Sequence, residues 1–184
     1  NILIILFLFF NLVENVQADK KENELDFLFD ELKNANFSKG KQIENEIWKI
    51  WATHPSENRR GYRLTELLSR GDFYISQKKF NDAYDIFSLI ISTDPSWAEA
   101  WNKRATVLYL IGEYENSQKD IDMVLKLEGR HFGALSGQGL VQIELKNYKK
   151  ALESYEKALK IYPLMEAPQT MIPLIKKLIK DQSI

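Results

Sequence analysis

Cysteine is missing from this chain of 184 residues, and the sequence contains only two histidines, five prolines and eight glycines. Without a thiol, the protein cannot build a disulfide framework or a zinc site of cysteine ligands, and it cannot carry a lipid on an N-terminal cysteine. The absence leaves the redox compartment open, because a protein without thiols folds equally well in either one.

An excess of charge of either sign is also missing. The chain has 25 lysines and arginines against 26 aspartates and glutamates, which gives a formal net charge of −1. A nucleic-acid partner would require a basic footprint, so we predict that nucleic acid is not a partner. Apolar residues make up 45% of the sequence and charged residues 28%, which is typical of a soluble globular protein with one sizeable core.

A recognisable catalytic or ligand-binding motif is likewise missing. Residues 35–42 approach a phosphate-binding loop, but Gln42 stands where a serine or threonine should hold magnesium. His54 and His131 lie far apart in the sequence, each beside a predicted turn between helices, without a ligand cluster. We predict that both histidines are structural or solvated. We also predict that the protein is not an enzyme and has no catalytic residue, cofactor or metal.

One long hydrophobic run is present, "ILIILFLFF" at residues 2–10. With Leu12 and Val13 it reaches roughly a dozen residues, short of the ~20 that span a bilayer as a helix. It is typical of the core of a secretory signal peptide, and the small residues of "VQA" at 16–18 suit a cleavage site. We predict an exported protein that has no membrane contact after cleavage. An uncleaved membrane anchor and a buried N-terminal helix are the alternatives.

A repeat with a period of about 34 residues runs through the rest of the chain. Pro95, Gly129 and Pro163 are separated by this step, and each closes a segment with a helical pattern. The same step aligns small residues, large apolar residues and a second row of small residues: Ala83, Ser117 and Ala151; Phe87, Ile121 and Tyr155; Gly71, Ala105 and Gly139. Small residues let two antiparallel helices approach closely. The spacing predicts three helix–turn–helix units that stack to bury their apolar faces.

This pattern resembles the tetratricopeptide repeat, which carries W-x-x-L-G-x-x-Y, then A-x-x-x-F, then P. The matching positions in the three units are Leu67, Arg70, Gly71, Tyr74, Ala83, Phe87 and Pro95; Trp101, Arg104, Ala105, Leu108, Ser117, Ile121 and Gly129; Leu135, Gln138, Gly139, Gln142, Ala151, Tyr155 and Pro163. Arginine or glutamine replaces the family's leucine, Ser117 its alanine and Gly129 its proline. The resemblance implies an all-α fold of antiparallel helix–turn–helix repeats, stacked as a right-handed solenoid.

The predicted organisation is a signal peptide, a degenerate N-terminal helical hairpin with a linker, three repeats and a C-terminal capping helix: residues 1–18, 19–63, 64–97, 98–131, 132–165 and 166–184. A terminal repeat needs a cover with a polar outer face, and the helix containing Pro173 fits that role. A basic amphipathic helix on a membrane surface is the alternative. Ser96, after Asp94 and Pro95, is predicted to cap the first helix of the second repeat.

In this family the first helix of each repeat lines a concave groove, and the resemblance implies that a partner binds there. On the central first helix, Trp101, Ala105 and Leu108 are packing positions, and helical spacing with the repeat step then selects the groove stripe. The predicted groove residues are Asp72, Ile75, Glu99, Asn102, Lys103, Thr106, Tyr109, Ser136, Leu140 and Ile143. Ile75 and Ile143 have an alternative role in finishing the packing between helices. Asn102 could hold the backbone of an extended segment or helix.

Some family members grip a C-terminal carboxylate with basic and amide residues of the groove. Here Asn102 and Lys103 are present, but the equivalent positions of the neighbouring repeats are Leu68, Ser69, Ser136 and Gly137. The clamp is incomplete, so this activity is not predicted.

The function that follows is a non-catalytic adaptor for a protein or peptide of unknown identity. A leader combined with this repeat type indicates a bacterial periplasm, with an inner-membrane anchor as the alternative. Two other functions fit the sequence. One is a structural protein that self-associates through Trp48, Trp51 and the capping helix, as a homo-oligomer. The other is an accessory subunit of a cell-envelope enzyme complex.

Overall fold

The computed structural model describes residues 20–181, and the predicted signal peptide at 1–18 lies outside the described residues. Within 20–181 every regular element is a helix, which confirms the all-α class. The helices are α1 (residues 20–34), α2 (Phe37–Trp51), α3 (Arg59–Ser76), α4 (Phe80–Thr93), α5 (Ala98–Leu110), α6 (Tyr114–Leu127), α7 (Phe132–Glu144), α8 (Tyr148–Ile161) and α9 (Glu166–Asp181). In this described part, none combines the length and apolar character needed to cross a membrane.

The chain divides into two compact units, of which the first ends at Glu66. In the described part of this unit, α1 and α2 carry buried residues at helical spacing: Leu25, Leu28, Phe29 and Leu32 on α1, and Ile43, Ile47 and Trp51 on α2. The ring of Trp51 lies 6.0 Å from that of Phe29 and 5.3 Å from that of Trp48. Trp51 is 7% exposed, so its ring belongs to the core of this unit.

The second unit, from Leu67 onward, contains the end of α3, the helix α4, the hairpins α5/α6 and α7/α8, and the helix α9. Three turns join α3 to α4, α5 to α6 and α7 to α8, and each places one residue in the left-handed region. The φ angles are 57° for Lys78, 83° for Gly112 and 60° for Lys146. These residues occupy equivalent positions of the three repeats. The turns therefore repeat in backbone conformation as well as in position.

The interior of the second unit is built from the predicted rows of small and large residues. A Cβ atom added at Gly139 would lie 2.5 Å from the ring of Tyr155, and one added at Gly71 would clash with the ring of Phe87. In the middle repeat, Ala105 and Ile121 belong to one buried cluster. A glycine thus faces an aromatic ring, and an alanine accompanies the smaller isoleucine.

The predicted helix cap at Ser96 is wrong. Helix α5 has Trp97 at its N-cap position, with no side-chain cap hydrogen bond. The backbone N–H and the hydroxyl of Ser96 both donate to Oδ1 of Asp94, at 2.9 and 2.6 Å. Asp94 closes a turn of its own at the end of α4, and this turn holds Ser96 one position before the cap.

The hydroxyl of Tyr155 provides a first test of this interior. Its side chain is fully buried, the hydroxyl has no hydrogen-bond partner among the described residues, and burial raises the pKa to about 12. Tyr155→Phe is expected to leave the free energy of unfolding at pH 7 unchanged or raise it by about 1 kcal/mol, because an unsatisfied polar group is removed. Phenylalanine already fills the matching position at Phe87.

The pH dependence follows from the direction of this shift. A tyrosine with a raised folded-state pKa contributes stability that is present below its ordinary pKa of 10 and is lost as the pH rises toward about 12. Urea unfolding at pH 7 and pH 11 should show a smaller alkaline loss for Tyr155→Phe than for the parent. The exposed Tyr62→Phe is the control and should match the parent at both pH values.

Candidate partner-binding site

A small pocket opens between α5, α6 and α7, with a volume of about 90 Å³. Its walls are mainly apolar, and three polar side chains of α5 stand at one side: Asn102, Thr106 and Tyr109. The remaining lining residues are Ala105, Ser117, Ile121, Gly133, Gly137, Leu140 and Val141. A cavity of about 150 Å³ holds benzene, so this one matches a smaller group such as one aliphatic side chain.

The pocket exists because α7 lacks side chains on one face. Gly133 and Gly137 lie one helical turn apart, and the matching positions on α5 carry Glu99 and Lys103. A Cβ atom added at Gly137 would have Ile121 as its nearest neighbour, at 3.9 Å. The position therefore accepts a Cβ atom without a clash, unlike Gly139.

An ion-pair network links α3 to α5 in the second unit, through Asp72, Lys103 and Glu99. The ammonium of Lys103 lies 3.1 Å from Oδ1 of Asp72 and 3.5 Å from Oε1 of Glu99. Burial lowers the pKa of Lys103, but Glu99 and Asp72 together outweigh it and raise the pKa overall. Burial raises the pKa of the Asp72 carboxyl in spite of Lys103, because Asp72 faces one cation and the Glu99 carboxylate as well. Lys103 is thus a charged group already neutralised by its neighbours.

Glu99 also joins α5 to the start of α7. Its Oε2 lies 3.0 Å from Nε2 of His131 and accepts a hydrogen bond from the Asn102 amide at 3.1 Å. Nδ1 of His131 accepts from the backbone N–H of Ala134 at 3.0 Å and caps α7, so Nε2 carries the hydrogen and donates to Glu99. Glu99 is 1% exposed and His131 fully buried. The carboxylate is a structural group, enclosed by the fold.

The structure separates the predicted groove residues into two sets. Asn102, Thr106, Tyr109 and Leu140 meet at the pocket. The others do not line it: Asp72, Ile75, Glu99, Lys103, Ser136 and Ile143. Among these, Glu99 and Ser136 are buried, and Ile143 packs against the cluster of Ala151, Tyr155 and Ile175, as its alternative role requires.

The step of 34 residues places Gly133 on the groove stripe, but sequence reasoning did not predict the recess that Gly133 and Gly137 form together. Their spacing of one turn on one helix face was a usable signal, because two glycines so placed leave a gap in the wall of side chains. In residues 20–181 no group of three or more histidine, aspartate or glutamate side chains is arranged to hold a metal ion. The chemistry that the pocket offers is burial of an apolar group beside an amide and a hydroxyl.

Comparison with known sequences points to one family. A family model described as Tetratricopeptide repeat matches residues 133–163. A TPR repeat-containing protein of Rhizobium etli is 34% identical over 162 residues, which cover 88% of this chain and 76% of that protein. Hsp70-Hsp90 organizing protein 3 of Arabidopsis thaliana is 27% identical over 98 residues, or 53% of this chain. The match spans only 18% of that relative's length.

Solved structures show the same fold. The Sgt2 TPR domain from Aspergillus fumigatus has a TM-score of 0.63 at 22% identity, over 66% of this chain and 82% of its own. The first TPR of Spaghetti, bound to the HSP90 peptide SRMEEVD, has a TM-score of 0.62 at 20% identity, over 64% and 93%. MamA has a TM-score of 0.59 at 20% identity, over 78% and 84%. The predicted helical solenoid is confirmed.

Proposed function

The chain belongs to the tetratricopeptide repeat family, and we propose that it is a non-catalytic adaptor that binds a peptide or helix of a partner protein across α5 and α7. The pocket between these helices carries the proposal, because it joins an apolar recess to exposed polar groups. Thr106 is exposed, and Asn102 is half-buried and keeps its Oδ1 available as an acceptor for a partner's backbone N–H. The first TPR of Spaghetti, which shares this fold, is bound to an HSP90 peptide, and this supports a peptide as the partner.

The compartment is part of the same proposal. The apolar run at residues 2–10 and the small residues at 16–18 favour export to a bacterial periplasm. Fractionation of cells that produce the C-terminally tagged chain should recover it with periplasmic markers, with Asp19 as its first residue. Recovery in the cytoplasmic fraction at full length would reject export, and recovery in the membrane at full length would favour the anchor.

The experiment that tests partner binding is a crosslinked pull-down from cells of the source organism. The tagged chain is compared with a variant carrying Asn102→Ala, Thr106→Ala and Tyr109→Ala. A control variant carries Glu115→Ala, Lys119→Ala and Lys126→Ala. These three residues are exposed on α6 and do not line the pocket. Thermal melts establish that all three proteins are folded.

We expect one protein to be captured by the parent and the control and lost by the pocket variant. Equal capture by all three baits would move the binding site elsewhere on the molecule. Recovery of the chain alone, as a stable oligomer, would reject the adaptor and favour the structural alternative.

A further inference from the structure

We infer that the partner segment inserts one aliphatic side chain into this pocket and carries basic or neutral residues beside it. The inference rests on the proposed function and names the chemistry of the partner. Two independent observations support it: the shape of the recess on α7 and the balance of charge around it.

The shape argument begins with the glycine face. Gly133 and Gly137 form one wall, and Ala105, Ile121 and Val141 supply apolar surface. Leu140 remains 38% exposed at the edge of the pocket, so part of this apolar surface is uncovered. A volume of about 90 Å³ matches a leucine, isoleucine, valine or methionine side chain.

The charge argument concerns the groups on either side of the pocket. Lys103 is the cation next to Asn102, and it is already shared between Asp72 and Glu99. Burial, together with the negative charge of Glu144 and the nearby Tyr114, raises the pKa of Tyr109 at the pocket. Lys103 is therefore a single cation beside three carboxylates, which belong to Asp72, Glu99 and Glu144.

A second cation of α5 is also committed. Arg104 donates to both carboxylate oxygens of Asp120, from Nε at 2.7 Å and from Nη2 at 2.8 Å. Such a two-point contact holds the guanidinium in place. The groups named beside the pocket sum to a negative charge, because Arg104 and Asp120 cancel and Lys103 offsets one of the three other carboxylates. This charge favours cations on the partner and opposes an acidic chain end.

The test uses short peptides of defined chemistry and the protein purified as its producing cells process it. Acetylated and amidated KSLSK, KSASK and ESLSE are titrated into the 15N-labelled protein at low salt, and SRMEEVD is titrated as the acidic peptide of known structure. Amide shifts of Thr106, Gly133, Gly137 and Leu140 report occupation of the pocket. We expect KSLSK to bind about tenfold or more tightly than KSASK, because the leucine is buried. We expect ESLSE to bind about threefold or more weakly than KSLSK, with a smaller difference at high salt.

The variant Gly137→Leu fills the pocket from within. An added Cβ atom meets no atom closer than 3.9 Å, the position lines the pocket, and leucine is a better helix former than glycine, so the variant should fold. Its preference for KSLSK over KSASK should disappear. Gly129→Leu adds the same side chain outside the pocket, where the nearest atom to an added Cβ is a carbonyl oxygen at 3.7 Å, and it should keep the preference.

The outcomes separate this inference from the proposed function. Equal binding of KSLSK and KSASK, or an unchanged preference in Gly137→Leu, would overturn the aliphatic anchor. Tighter binding of ESLSE or SRMEEVD than of KSLSK would overturn the charge preference. Either result leaves the adaptor standing if the pull-down loses its partner with the pocket variant. A pull-down that recovers only the chain itself would reject both the adaptor function and this inference about its partner.

Discussion

Replacing Gly139 by alanine is expected to lower the free energy of unfolding by about 2–3 kcal/mol, although alanine alone would favour the helix by about 1 kcal/mol. The added methyl group would lie 2.5 Å from ring carbons of Tyr155. The ring is fully buried and cannot move away without displacing its own neighbours, Ala151 and Ile175. Overpacking of a close-packed core therefore outweighs helix propensity at this position.

The middle repeat provides the matched rescue. At the equivalent positions it carries Ala105 and Ile121, which pack in one cluster. The double variant Gly139→Ala with Tyr155→Ile copies this pair into the third repeat. We expect it to recover at least about 1 kcal/mol of what the two single variants together lose.

Urea unfolding followed by circular dichroism measures the three free energies. Gly137→Ala serves as the control, because its added Cβ meets no atom closer than 3.9 Å, and it should raise the free energy of unfolding by about 0.5–1 kcal/mol. A Gly139→Ala protein as stable as the parent would show that the ring can shift, and that the contact does not set the pairing of small and large residues.

The repeated packing positions could be predicted from the sequence because they obey one period. That period aligned the rows of small and large residues from unit to unit, and the structure places Gly71 against Phe87 and Gly139 against Tyr155 as those rows require. These positions are set by how closely two helices approach, and a small residue in one helix opposite a large residue in the other indicates that approach. The domain boundaries and the groove stripe stay predictions.

The burial of Glu99 could not be predicted from the same pattern. A charged residue on an amphipathic helix is ordinarily assigned to the solvent side, and its partner His131 lies 32 positions later, at the N-cap of α7. The pairing depends on how one first helix meets the start of the next, which residue types do not encode. The pocket was not predicted for a related reason. Gly133 and Gly137 form it because they have no side chains, and the repeat pattern is read from side chains that are present.

The second large effect is expected at this buried pair. His131→Ala should lower the free energy of unfolding by about 3–5 kcal/mol, because it leaves the Glu99 carboxylate without its imidazole donor inside the fold. The same change removes the acceptor for the N–H of Ala134 and so the cap of α7. Lys103, at 3.5 Å on the other oxygen, and the Asn102 amide are too few to compensate.

A double-mutant cycle with Glu99→Gln separates the charge from the cap and the cavity. In the His131→Ala background the carboxylate at position 99 has already lost its imidazole donor, so replacing it by a neutral amide should cost less there than in the parent. We expect a coupling energy of about 1–3 kcal/mol, against the additivity within about 0.5 kcal/mol that independent sites show. Glu113→Gln, which neutralises an exposed carboxylate bound to Asn116, should change stability by less than about 0.5 kcal/mol. Additive free energies for Glu99 and His131 would mean that the pair does not act as a unit. The contact between Glu99 and His131 joins α5 to the start of α7, and both helices line the pocket. We therefore also expect peptide binding to weaken in His131→Ala under conditions where the variant is still folded.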